Sequence, residues 1–177
     1  MRWVLVVGLV GLAACSSGGG GPREERALPE RITVTSPAFA AGAAIPQRFT
    51  CQGENVSPPL AWSGVAAGTA EVALVVDDPD APRGTYVHWV VVGLDPARGR
   101  LAEGALPPGA RQLPNSGGSA AWTGPCPPGG PAHHYRFTVY ALQRPPEVAG
   151  DADPEAAVQA IEAAATARGR LIGTFGR

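Results

Sequence analysis

The chain has 177 residues, a formal net charge of −1, 24 glycines and 19 prolines. This length suits one domain with a substantial core, and the glycine and proline content favours many turns over a helical bundle. Because the charge is near zero and no basic block occurs along the chain, the sequence gives little support to a nucleic-acid-binding role.

The first 21 residues, MRWVLVVGLVGLAACSSGGGG, have the pattern of an export signal. Arg2 supplies a positive start, a short apolar run follows, and small residues precede Cys15 as in a bacterial lipobox. We predict a lipoprotein signal peptide at 1–14, cleaved before Cys15, and lipid attachment at that cysteine. The protein would then be anchored in the bacterial cell envelope on an extracytoplasmic surface. An ordinary signal peptide with an incidental cysteine is the alternative.

Residues 15–30 are predicted to form a flexible tether, since they open with a run of serine and glycine, and residues 31–177 to form the domain. The other two cysteines of the chain are Cys51 and Cys126. A pair of cysteines in an exported protein indicates a disulfide, which would close a long loop. Two separate buried thiols are the alternative, because sequence does not reveal whether the two residues meet.

Short strands interrupted by proline and glycine are predicted from residue 31 onward. They are rich in β-branched and aromatic residues and are bounded by turn-forming residues. The stretches 50–69 and 104–132 are predicted to be long ordered loops of the kind that often carries function. The predicted strands cover residues 32–35, 71–77, 86–94, 134–142 and 171–175.

One helix is predicted near 154–168. Asp153 is a favourable N-cap, Pro154 suits the first helical position, and Gly169 is a plausible terminator. These elements predict a mainly β domain with few helices, in which two antiparallel sheets pack together. Val158, Ile161 and Ala165 would form an apolar stripe on the inward face of this helix.

Strand alternation sorts the polar side chains by face. His133 and Tyr135 share the apolar face of their strand, whereas His134 is predicted to lie on the opposite, outward face. The same rule places His88 on a face with Tyr86, Val90 and Val92, and Asp78 on a face with Leu74 and Val76.

An acid, two histidines and a tyrosine therefore lie on or beside apolar strand faces. Burying such groups without partners is unfavourable, so we expect them to contact one another or a ligand. Imidazole and phenol donors, together with backbone N–H groups from the glycine-rich loop 124–130, would suit a phosphate or a carboxylate.

Three motifs in order along the chain resemble the phosphatidylethanolamine-binding protein (PEBP) family, which includes the Raf kinase inhibitor protein. They are DPDAP at 78–82, HWVVV at 88–92 and GPCPPGGPAHHY at 124–135. The segments 45–62 and 171–177 add a resemblance to the bacterial Raf kinase inhibitor-like branch. Together these segments extend the resemblance over roughly residues 31–177.

The resemblance implies a PEBP-like fold, in which a large central antiparallel sheet packs with a smaller sheet and few peripheral helices. It also implies a small pocket that accepts anions such as phosphate or a phospholipid head group. The ligand-binding residues it implies are Asp78, Pro82, His88, Gly124, Pro127, His133 and Tyr135.

This sequence departs from the family pattern at two positions. His134 replaces a usual arginine, so any ion pair made by that arginine is expected to be weakened or absent. Trp122 replaces a common tyrosine, which is a milder change.

The same residues allow alternatives to an anion-binding pocket. Zinc needs three or four converging ligands, and the sequence has neither HxxxH nor CxxC spacing, so no metal or other cofactor is predicted. A hydrolase would recruit Ser116 or Ser119 with His133 and Asp78, but no GxSxG motif is present, so we do not predict an enzyme.

A buried polar network without any ligand is another interpretation of these residues. The main alternative function is an inhibitor of a peptidase or other protein partner, as some family members are.

Overall fold

The computed structural model of the protein describes residues 26–177, so the predicted signal peptide, Cys15 and most of the predicted tether lie outside the described residues. The described part has eight strands and one α-helix, with a single 3₁₀ turn at Gln47–Phe49. The elements are β1 (Thr33–Thr35), β2 (Leu60–Ser63), β3 (Glu71–Asp78), β4 (Tyr86–Leu94), β5 (Arg100–Leu101), β6 (Arg111–Leu113), β7 (His133–Leu142), α1 (Pro154–Ala164) and β8 (Ala165–Phe175).

The strands form two antiparallel sheets, as predicted. The large sheet has the order β6-β4-β3-β7-β8, and the small sheet has the order β1-β2-β5. The inner face of the large sheet packs on the small sheet through an aromatic core that includes Phe39, Trp62 and Phe137. The other face is covered by α1 through Val158 and Ile161. Burial on both faces explains why β3 and β4 are almost continuously apolar.

The helix begins as predicted and ends four residues early. The Asp153 side chain accepts a hydrogen bond from the Ala156 N–H at 3.0 Å, which caps the first turn. After Ala164 the chain turns directly into the eleven-residue strand β8, which pairs with β7 along nearly its whole length. Gly169 therefore does not end a helix. It lies inside β8, where a Cβ atom would be 1.7 Å from the carbonyl oxygen of Ile32.

The two predicted loops contain short strands that their sequence did not reveal. β2 lies within 50–69 and β6 within 104–132, and strands of four and three residues are too short to show a periodic pattern. The remainder of both stretches is irregular.

The ordered body also includes residues 26–30, the last part of the predicted tether. Leu28 is buried, and the carbonyl of Pro29 accepts a hydrogen bond from the Arg168 N–H. This segment covers part of the exposed edge of β8. Among residues 26–177, no helix combines the length and apolar character needed to cross a bilayer.

Candidate functional site

A cavity of about 240 Å³ lies at one end of the large sheet, where β3 ends and where β4 and β7 begin. The structure brings together every ligand-binding residue that the sequence predicted, since Asp78, Pro82, His88, Gly124, Pro127, His133 and Tyr135 all line this cavity. Five further residues complete the lining, namely Ala81, Tyr86, Thr123, Cys126 and Pro128. The motifs are distant in sequence and meet because β4, β3 and β7 are neighbours in the sheet.

The Asp78 carboxylate fixes the orientation of one imidazole. It is 3% exposed, and its Oδ2 lies 2.7 Å from Nδ1 of His133. Its Oδ1 accepts a hydrogen bond from the Asp80 N–H at 2.8 Å, within the stiff DPDAP turn. Because Nδ1 is engaged by the carboxylate, Nε2 is the ring nitrogen of His133 that remains available to a ligand.

The second imidazole is held by a backbone carbonyl. Nδ1 of His88 lies 2.7 Å from the carbonyl oxygen of Thr123, which can only accept, so Nδ1 carries the proton. Burial lowers the pKa of His88, and the Thr123 carbonyl and the Asp78 carboxylate only partly offset this effect. The ring is therefore neutral at pH 7, with the lone pair on Nε2. Protonation at Nε2 would turn that atom into a donor.

The Tyr135 hydroxyl is buried and makes no hydrogen bond with any residue of the described chain. Desolvation and the neighbouring Asp78 carboxylate raise the pKa of the phenol, so the hydroxyl keeps its proton. The two groups do not form a hydrogen bond of normal geometry. The ring contacts His88 edge-on, with 5.2 Å between ring centres. An unpaired buried hydroxyl is rare in proteins, and this one lines the cavity.

A β-bulge in β4 changes which side chains share a face, so the predicted faces of this strand are partly wrong. Val76 pairs with Trp89 and Asp77 pairs with Val87, which leaves His88 as the extra residue. Alternation therefore restarts after His88. Val90 and Val92, predicted to share its face, instead pack in the core under α1.

The rim of the cavity is fixed by the loop that follows the 3₁₀ turn. The Gly124 N–H donates to Oδ1 of Asn55 at 2.8 Å, and the Cys51 N–H donates to the Pro125 carbonyl at 3.1 Å. The disulfide between Cys51 and Cys126 is formed, with 5.4 Å between the Cα atoms. Sequence reasoning left this disulfide open and missed Asn55. The one sequence signal at this position is the residue type, because asparagine tolerates a positive φ better than most residues do. The φ angle of Asn55 is 56°.

His134 lies outward, as predicted, and it contacts an acidic residue there. Its Nδ1 lies 2.7 Å from Oδ2 of Asp80, and its backbone N–H donates to the same oxygen at 2.8 Å. The backbone hydrogen bond, followed by the side-chain one, lowers the pKa of Asp80. Histidine is long enough to reach this turn because β7 begins directly beside it. The pair fastens the DPDAP turn to β7 from the solvent side.

The residues weighed for a metal site and for a hydrolase can be located in the described part of the chain. Within 26–177, no group of three or more His, Cys, Asp and Glu side chains is arranged to hold a metal ion. Neither Ser116 nor Ser119 lines the cavity, and the Ser116 hydroxyl accepts a hydrogen bond from the Val87 N–H.

Comparison with known proteins gives relatives over nearly the whole domain. LppC of Mycobacterium tuberculosis, a candidate lipoprotein by name, is 48% identical over 187 residues, covering 94% of this chain and 90% of the relative. A UPF0098 protein of Mycobacterium bovis is 53% identical over 156 residues, covering 85% of this chain and 75% of the relative.

Two crystal structures share the fold. YbcL of Escherichia coli, described as a new member of the mammalian PEBP family, superposes with a TM-score of 0.78 at 32% identity. That match covers 83% of this chain and 99% of YbcL. CT736 of Chlamydia trachomatis, a candidate PEBP homologue, gives a TM-score of 0.76 at 35% identity and covers 84% of this chain and 99% of its own. The sequence model of the phosphatidylethanolamine-binding protein family matches residues 35–176, so the chain belongs to that family.

Proposed function

We propose that the protein is a lipid-anchored, extracytoplasmic binding protein whose cavity takes a small anion, either phosphate or the phosphoryl group of a phospholipid head group. The observation that carries this proposal is the buried Tyr135 hydroxyl, which lacks a partner in the described chain and lines the cavity. An anion at this position would accept its hydrogen bond. The proposed activity is binding without turnover.

The charges around the cavity are compatible with an anion. Both oxygens of Asp78 already accept hydrogen bonds, from the His133 ring and from the Asp80 backbone, which reduces the repulsion that a bare carboxylate would exert. The Nε2 atoms of His88 and His133 make no hydrogen bond with the described residues, and protonation would turn each into a charged donor.

Replacing Tyr135 by phenylalanine is expected to weaken phosphate binding by roughly ten- to a hundred-fold, since a hydrogen bond to a charged group contributes about 1.5–3 kcal/mol. The free energy of unfolding should stay the same or rise, because the change removes a buried hydroxyl that has no partner in the described chain. Isothermal titration calorimetry with phosphate and urea unfolding measure the two quantities.

Tyr140→Phe is the matched control, because it removes a buried tyrosine hydroxyl from the opposite face of the same strand. That hydroxyl contacts Oε1 of Glu162 at 3.4 Å. Its loss should lower the free energy of unfolding and leave phosphate affinity unchanged. Equal phosphate affinities for Tyr135→Phe and the unchanged protein would contradict the proposed contact.

Anion affinity is expected to fall as pH rises from 5.5 to 8.5. A bound anion favours the protonated form of His88, and the protonated fraction decreases with rising pH. Because burial lowers the pKa of His88, its contribution should lie on the acid side of the usual value of about 6.5. Sulfate is the appropriate probe, since it does not titrate in this range. A flat affinity across the range would exclude a charged histidine from the site.

Anchoring through Cys15 is supported by the lipobox-like sequence and by the similarity to LppC, which is named as a candidate lipoprotein. Expressed in a bacterial host, the protein should fractionate with membranes, and the Cys15→Ser variant should appear in the soluble extracytoplasmic fraction. Mass spectrometry of the mature N-terminus should show an acylated cysteine. Membrane association that survives the Cys15→Ser change would contradict this part of the proposal.

A further inference from the structure

The described residues begin at the end of the large sheet that is farthest from the proposed anion cavity. The Arg26 guanidinium donates hydrogen bonds to the carbonyl oxygens of Glu162 and Ala165, at the end of α1 and the start of β8. The cavity lies at the other end of β8, where Phe175 pairs with His133. The length of β8 therefore separates this entry point of the chain from the cavity by about 30 Å.

Few residues connect the entry point to the proposed lipid anchor. Residues 15–25 lead from Cys15 to Arg26, and a segment of this length spans at most about 36–40 Å when it is fully extended. A serine- and glycine-rich chain of the same length has an expected r.m.s. end-to-end distance of about 18 Å. Turning the cavity mouth onto the bilayer would place Arg26 about 30 Å from the lipid, which few conformations of such a chain allow.

The cavity lining also lacks the side chains by which a domain adheres to a bilayer. Adhesion to a membrane surface relies on exposed apolar side chains and on clusters of lysine or arginine. In the described chain the large apolar side chains that are exposed are Leu106 and Ile172, and neither lines the cavity. No arginine is among the described residues of the lining. The lining therefore gives the cavity mouth no means of holding itself against a lipid surface.

We propose that the cavity faces away from the membrane that anchors the protein, and that its ligand is a water-soluble molecule with a phosphoryl group. This proposal rests on the function proposed above, both for the anion and for the anchor at Cys15. It selects one of the two sources of a phosphoryl group, the aqueous phase. A phospholipid of the anchoring membrane would have to leave the bilayer to reach the cavity, which exposes its acyl chains to water.

Fluorescence energy transfer from the protein to an acceptor lipid tests the orientation. One variant, Arg83→Cys, carries the donor dye beside Pro82 of the cavity lining. Its counterpart, Ala67→Cys, carries the dye in the turn before β3, at the entry end of the sheet. Both positions are exposed, and the mature, lipidated proteins are labelled without reductant and placed in vesicles that contain the acceptor.

Transfer should be efficient from position 67 and weak from position 83, because the second dye is held on the far side of the domain. Inserting about twenty glycine and serine residues after Gly21 should remove most of this difference, since the longer segment lets the domain turn over. Equal transfer from the two positions in the protein without the insertion, or stronger transfer from position 83, would overturn the proposed orientation. This measurement involves no ligand, so its result is independent of whether the cavity binds an anion.

Phosphate binding then distinguishes the two sources of the phosphoryl group. The vesicles contain phosphatidylethanolamine and phosphatidylcholine, which carry phosphoryl groups but no net charge. The anchored protein on these vesicles should bind phosphate as tightly as the mature Cys15→Ser variant does in solution. A phosphate affinity that is weaker by about tenfold on the vesicles would show that head groups compete for the cavity, and would overturn the proposal. Absence of phosphate binding in both forms would instead contradict the proposed anion cavity.

Discussion

Replacing Cys51 and Cys126 together by serine is expected to lower the free energy of unfolding by about 4 kcal/mol. The disulfide joins residues 75 positions apart, and a cross-link of that span removes much of the conformational entropy of the unfolded chain. A loss of this size is a large share of the 5–15 kcal/mol that is typical of a folded domain. Urea unfolding followed by circular dichroism measures it.

A reductant supplies the control for this prediction. The unchanged protein in reducing buffer should unfold at the urea concentration of the double serine variant, because both lack the cross-link. The variant should not respond to the reductant. A difference below about 1 kcal/mol between oxidised and reduced protein would show that the cross-link adds little to stability.

Gly124→Ala is expected to displace the rim of the cavity that is proposed to bind an anion. A Cβ atom at this position would lie 2.5 Å from Oδ1 of Asn55 and 2.5 Å from the carbonyl oxygen of Phe49. The second of these atoms belongs to the backbone, so the rim segment has to move. We expect the free energy of unfolding to fall by about 1–3 kcal/mol, as for other overpacked sites.

The same change should weaken phosphate binding at least tenfold, because the displaced segment also carries the Thr123 carbonyl that orients His88. Gly129→Ala is the matched control in the same loop, since a Cβ atom there would meet nothing within 4 Å. It should change stability by no more than about 0.5 kcal/mol and leave phosphate affinity intact. Equal effects of Gly124→Ala and Gly129→Ala on stability and on phosphate affinity would show that the rim tolerates movement.

How far the sequence predicts this structure depends on the regularity of each element. His133 and His134 were assigned to opposite faces correctly because β7 is long and pairs without irregularity at that end. The same rule fails in β4, where the bulge at His88 resets the alternation. A bulge has no reliable signature in one sequence, since it depends on how the neighbouring strand pairs.

The contacts that hold the rim were the least predictable part of the site. The sequence leaves the disulfide open because its formation depends on the approach of two loops. It does not identify Asn55, because the partner of that side chain is a backbone N–H at position 124. The helix end was misplaced because Gly169, a usual terminator, is required instead by the close approach of Ile32. In each case a tertiary contact outweighed the local sequence pattern.

A crystal structure of the mature domain grown with phosphate would reveal whether the cavity binds an anion between the two imidazoles and the Tyr135 hydroxyl. We expect phosphate density within hydrogen-bonding distance of the Tyr135 hydroxyl and of Nε2 of His88 and His133. A cavity without phosphate at millimolar concentration, with Tyr135 still unpaired, would contradict this expectation.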